Sequence, residues 1–138
     1  MTQNIPYRYN PFPIYIEKGS IEPFSEALYF TAKADSNAIC LNTKRSPDAI
    51  NLSYKLNDGN WTAYTVGDVI ELNKDDQIAF SGNNSTINKD WDNYYYFTMT
   101  GTLRANGNIQ SLVNFSNTAP SYCYCNLFSG CTSLKTAP

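Results

Sequence analysis

Residues 50–65 read INLSYKLNDGNWTAYT, and their alternation leaves few choices of fold. Ile50, Leu52, Tyr54 and Leu56 fall on one side of an extended chain and Asn51, Ser53 and Lys55 on the other, the period of a half-buried strand. Asp58-Gly59 then offers the positive φ angles that a tight hairpin demands, and WTAYT returns as the partner strand. The same texture recurs in ALYFTA (27–32) and YYYFTMTG (94–101). In VIELNKDDQIAFSG (69–82), Ile70 and Leu72 are expected to face Ile78 and Phe80 across a polar turn at Asn73 to Asp76. GNIQSLVNF (107–115) reads as a further strand. Seven short strands separated by turn residues, with no helical period sustained over three turns, predict an all-β chain built as an immunoglobulin-like β-sandwich. Its core is expected to contain Leu52, Tyr54, Leu56, Ile70, Ile78 and Phe80.

The chain has 138 residues, one domain's worth. Three parts are expected: an extended arm over residues 1–26, the sandwich over 27–114, and a connection with a first repeat unit over 115–138. Pro6, Pro11, Pro13 and Pro23 exclude a helix from the arm. Tyr7, Tyr9, Phe12, Ile14 and Tyr15 lie among them and argue against a freely solvated linker. Such an arm needs a surface, either its own domain or a neighbouring subunit. Ordering each residue costs about 1–2 kcal/mol of backbone entropy, so most of these side chains must be covered, and a partner's groove covers them best.

The net charge of -2, with lysine and arginine scattered, gives no electrostatic footprint for nucleic acid. No apolar run approaches the roughly 20 residues of a membrane helix, and the N-terminus lacks the pattern of a secretion signal. Histidine is absent, which removes the usual general base near neutral pH and the His-dependent triads. Cys123, Cys125 and Cys131 form C-x-C-x5-C, with Cys40 far upstream. The spacing does not match a structural zinc site, and free or buried thiols are expected rather than a metal centre or a disulfide. Asp75-Asp76 and Asp90/Asp92 read as turn residues; a calcium site at Asp90, Asp92 and Asn93 lacks EF-hand spacing.

Trp61, Tyr64, Trp91, Tyr94, Tyr95 and Tyr96 form the aromatic group of most interest. Consecutive aromatics on a strand must point to both faces, so they serve core packing, a protein interface or a sugar-stacking platform with Asn83, Asn84 and Asn93. Core packing is the first expectation of the three.

At the C-terminus, NLFSGCTSL spaces Leu127, Phe128, Cys131 and Leu134 as buried positions between small polar residues. Phe128, Gly130, Cys131, Thr132, Ser133 and Leu134 resemble, position by position, the F-x-G-C-T-S-L core of BspA-type leucine-rich repeats, with Ala137-Pro138 entering the turn. The stretch from Ser46 to Asn84 is similar to a β-rich domain found before such repeats in Bacteroides-type gut bacteria and their tailed phages. Asn57, Asp58, Gly59, Trp61, Tyr64, Gly82, Asn83 and Asn84 carry that likeness. A lone repeat cannot cover its own apolar face, so the chain is expected to be the N-terminal part of a longer polypeptide.

The resemblance implies display and attachment without catalysis or cofactor. The expected function is a structural, anchoring domain of a phage virion fibre or appendage, assembled in the host cytoplasm. Its expected partners are other virion proteins bound through the arm and further copies of itself; no nucleic acid or membrane is expected. A surface glycan or protein receptor is a further candidate partner. The alternative is a bacterial cell-surface adhesin module.

Overall fold

The computed structural model describes residues 27–116, 118, 120–129 and 131. The arm with Tyr7, Tyr9, Phe12, Ile14 and Tyr15 lies outside them, as does Leu134 of the repeat core. Eight strands follow in order: β1 (Leu28–Ala32), β2 (Asn37–Lys44), β3 (Ser53–Leu56), β4 (Thr62–Ala63), β5 (Val69–Leu72), β6 (Gln77–Ser81), β7 (Tyr94–Thr100) and β8 (Leu103–Asn106). A short 3-10 helix, Ile109–Val113, comes after them. The strands form a five-stranded sheet in the order β4-β3-β6-β1-β8 and a three-stranded sheet in the order β5-β2-β7. All pairings among them are antiparallel. The protein is therefore all-β, as the alternation predicts.

Phe97 on β7 meets Phe30 on β1 and Phe80 on β6, with ring centroids 5.4 and 5.3 Å apart. The two sheets thus enclose one aromatic core. Leu52, Ile78 and Phe80 are buried in it, while Tyr54, Leu56 and Ile70 are half-buried at its margin. Tyr64, just past β4, is also a core residue. Its hydroxyl accepts from the Leu41 N–H at 2.9 Å and donates to the Asp68 carbonyl at 2.6 Å. That bond closes the edge of β2 beyond Cys40, where its pairing with β5 ends. Burial pushes the Tyr64 phenol up to about 12.

The hairpin at residues 50–65 forms, with Ser53 opposite Ala63 and Tyr54 opposite Thr62. Its positive φ falls on Asn57 (51°), not on Asp58-Gly59. Asn57 suits the position because its side chain also accepts from Gln77 N at 2.9 Å and donates to Asp76 at 3.0 Å.

Two further expectations are corrected. Strands β5 and β6 do not pair with each other: β5 joins β2 and β6 joins β1 and β3. The polar turn between them exists, with Asp75 at φ 73°. It carries the chain from one sheet to the other, clasping the end of β1 through Asp75 N to Ala32 O and Ala32 N to Asp76 O. Strand β6 lies between β3 and β1 in its sheet and buries both of its faces, with Ile78, Ala79 and Phe80 each at most 1% exposed.

Residues 107–115 are likewise not a strand. Asn108 caps the 3-10 helix by accepting from Gln110 N, and Asn114 ends it in the left-handed region. Ser111, Leu112 and Val113 in it are all buried. The Ser111 hydroxyl accepts from Leu28 N at 2.9 Å and donates to Phe80 O at 2.8 Å, bridging β1 and β6 at their ends. Gly107 makes the approach possible: φ is +85°, and a Cβ there would lie 1.8 Å from the Ala27 carbonyl oxygen.

Candidate functional site

Strand β7 is paired with β2 along one side only. Its other side would leave a row of backbone groups unpaired, a template for aggregation. Two devices cover it. At Tyr95 the Asn88 side chain acts as a substitute strand, accepting from Tyr95 N at 2.8 Å and donating to Tyr95 O at 3.2 Å. At Phe97 the N–H donates to Leu127 O at 2.7 Å, and the Cys131 thiol donates to Phe97 O at 3.4 Å.

The C-terminal segment that supplies Leu127 and Cys131 advances by successive i to i+3 turns. Cys123, Cys125, Leu127, Ser129 and Cys131 each donate an N–H to the carbonyl three residues back. Tyr122 (φ 67°) and Asn126 (φ 61°) adopt left-handed angles on the way. Asn88 fastens this segment as well, through its own N–H to Cys123 O (2.8 Å) and its side-chain amide to Cys125 O (2.6 Å). The Asn88 carbonyl accepts from the Thr86 hydroxyl, so the residue's polar groups are all engaged at 1% exposure.

Leu127 and Cys131 are buried, and Phe128 stacks on Phe97 at 5.8 Å and 19° while meeting Phe30 edge-on at 6.4 Å. Three of the four described or expected repeat positions therefore belong to the same core as the sheets. Burial raises the Cys131 thiol to about 11. All four cysteines are free thiols, and Cys123 and Cys125 lie on turns rather than on one face of a strand. Among the described residues, no three Cys, Asp or Glu side chains are grouped so as to hold a metal ion.

The aromatic group divides. Tyr64 and Tyr95 go to the core, the latter donating its hydroxyl to Asp48 O at 2.7 Å. Tyr94 and Tyr96 point to the other face of β7, 5.8 Å apart, with Lys44 Nζ 5.8 Å from the Tyr94 ring. Trp61 is 47% and Trp91 66% exposed, and among the described residues no ring contact joins them to each other or to the tyrosines.

A polar pocket of about 580 Å³ opens between residues 46–51 and 83–93. Its walls are held by a clasp in which Asn51 and the Asn83-Asn84 pair exchange four hydrogen bonds of 2.7–2.9 Å. Asn84 is spent on this clasp and on Leu112 O, whereas Asn83 is exposed. Gly82 allows the approach: a Cβ there would stand 2.5 Å from Asn51 O. Asp90 Oδ1 accepts from Asn93 N (2.7 Å) and Asp92 N (2.8 Å), bonds that hold its carboxyl below the usual range. Lys89 is paired with Asp48 at 2.6 Å, which raises its ammonium, and Arg45 is paired with Asp92. The sequence names Asn83, Asn84 and Asn93 as hydrogen-bond partners for a sugar and puts Asn51 on the polar side of a strand, but it does not show that Asn51 clasps residues 83 and 84.

No family profile, no curated protein and no solved structure matches this chain.

Proposed function

We propose that this domain is a non-enzymatic structural module that seats a C-terminal leucine-rich-repeat region and anchors it, through residues 1–26, in the fibre or appendage of a phage virion. One observation carries the reading: Leu127, Phe128 and Cys131 are packed into the core beside Phe97 and Phe30. A chain leaving such a seat starts from a fixed point and direction, which is what a stacked solenoid needs of its base. Part of the strand order supports an immunoglobulin-like reading of the fold. Strands β3, β6 and β1 follow the order of D, E and B, and β2 and β7 that of C and F, with the C-terminal segment along the line of G. Strands β5 and β8 depart from that plan, since β5 comes between β3 and β6 in sequence yet pairs with β2, and β8 comes after β7 yet pairs with β1. In this account the module works as a homo-oligomer, and the arm lies on another virion protein.

The alternative, a bacterial cell-surface adhesin that binds glycan or host protein, is favoured by the exposure of Trp91. Deleting residues 1–16 separates the two readings. The truncated protein should keep the circular dichroism spectrum and melting transition of the intact one, yet be missing from purified particles on immunoblots. Incorporation at full occupancy would end the anchoring role of the arm. Recovery of the intact protein from the cell envelope, and not from particles, would favour the adhesin.

A further inference from the structure

We propose that the pocket between residues 46–51 and 83–93, together with exposed Trp91 on the loop that forms one wall, binds a neutral glycan. The inference holds whether the domain is carried by a virion or by a cell.

Four observations carry it. The pocket's volume, about 580 Å³, falls within the roughly 300–1,000 Å³ of sites that hold small ligands. Its lining excludes the other ligand classes. Amides, hydroxyls and carboxylates dominate it, which is wrong for an apolar ligand. Its lysine, Lys89, is already neutralised by Asp48, and Asp90 adds a negative charge, which is wrong for phosphate, sulfate or an acidic sugar. Sugar hydroxyls both donate and accept. Asp48 and Asp90 can only accept, whereas the exposed Asn83 amide does both. The Asn93 amide, held by long bonds to Ser46 N and the Asp90 carboxylate, belongs to the same set, which fits a neutral polyol.

The walls are also fixed in advance. The Asn51 clasp and the Asp90 turn hold the backbone by hydrogen bonds within the protein, so binding orders little that is not already ordered.

Trp91 supplies what the pocket itself lacks, an apolar plate. It lies between two lining residues, Asp90 and Asn93, and is two-thirds exposed on the loop that forms one wall. An indole face suits the C–H face of a pyranose.

The test is an NMR titration of the ¹⁵N-labelled full chain with neutral trisaccharides of glucose, mannose, galactose and N-acetylglucosamine, each to about 10 mM. One of them should produce saturable shifts confined to residues 46–51 and 83–93 and to the Trp91 indole N–H. Trp91→Ala and Asn83→Ala should each weaken binding about tenfold. Both side chains are exposed, and unchanged amide spectra of the free variants will confirm that the fold persists. Four results would overturn the proposal. They are no shifts with any sugar of the panel, shifts that map elsewhere, tighter binding of sialyllactose than of every neutral sugar, or Trp91 shifts that follow protein concentration alone. The last would assign the patch to a second copy of the chain.

Discussion

Replacing Asn88 with alanine is expected to destabilise the domain by roughly 3–5 kcal/mol, more than most single polar substitutions. The side chain satisfies Tyr95 N, Tyr95 O and Cys125 O together, and at 1% exposure no water can take its place. Each group left buried without a partner costs about 1–3 kcal/mol. Asn88→Asp keeps the shape and the acceptor but loses both donors and buries a charge, so it should be no better tolerated. Urea denaturation of the two variants beside Asn83→Ala gives the comparison. Asn83 is exposed, and its replacement should stay within about 0.5 kcal/mol of the wild type. Equal, small losses for Asn88 and Asn83 would mean that β7 does not depend on its substitute strand.

Phe97→Ala should cost about 4 kcal/mol. The ring is fully buried and meets Phe30, Phe80 and Phe128, so its removal opens a cavity where both sheets and the C-terminal segment come together. A double-mutant cycle with Phe128→Ala makes the test specific. Stacked rings in contact should be coupled by about 0.5–1.5 kcal/mol, whereas a C-terminal segment merely resting on the surface would give additive losses.

What could be read in the sequence follows from what period two encodes. Alternation reports which face of a strand is buried, so the hairpin at residues 50–65 and the inward set Leu52, Ile78 and Phe80 were legible. It does not report the partner, so β5 and β6 looked like a hairpin although each pairs within a different sheet. Strand β2 carries buried Asn37 and Cys40 beside Ile39 and Leu41 and has no clean pattern, whereas β8 alternates (Leu103 and Ala105 buried, Arg104 exposed) but is only four residues long. The 3-10 helix was hidden because Ile109, Leu112 and Val113 are β-prone residues, while Asn108 and Asn114, which decide its ends, are also ordinary turn residues.

The buried polar residues were the least visible of all. Asn37 accepts from Thr102 N at 3.0 Å, Ser111 bridges two strands and Asn88 joins three segments, yet a hydrophobicity pattern reads each as a loop or a solvent-facing position. Of the aromatic candidates, the sequence raised core packing for Tyr64 and Tyr95 but could not tell them from Trp61 and Trp91, which remain in water. That difference rests on hydroxyls finding backbone partners far along the chain, the Leu41 N–H for Tyr64 and the Asp48 carbonyl for Tyr95.

The central claim is that the segment ending at Cys131 is part of the domain's core and not an appendix to it. Native-state hydrogen exchange tests this most directly. The Phe97 amide donates to Leu127 O and the Asn88 amide to Cys123 O, so both are protected only while the segment is seated. The account predicts that these two amides exchange through global unfolding, with the same free energy of opening as the paired amides of β1 and β6. Exchange of Phe97 and Asn88 through a low-energy local opening, while β1 and β6 remain protected, would contradict it.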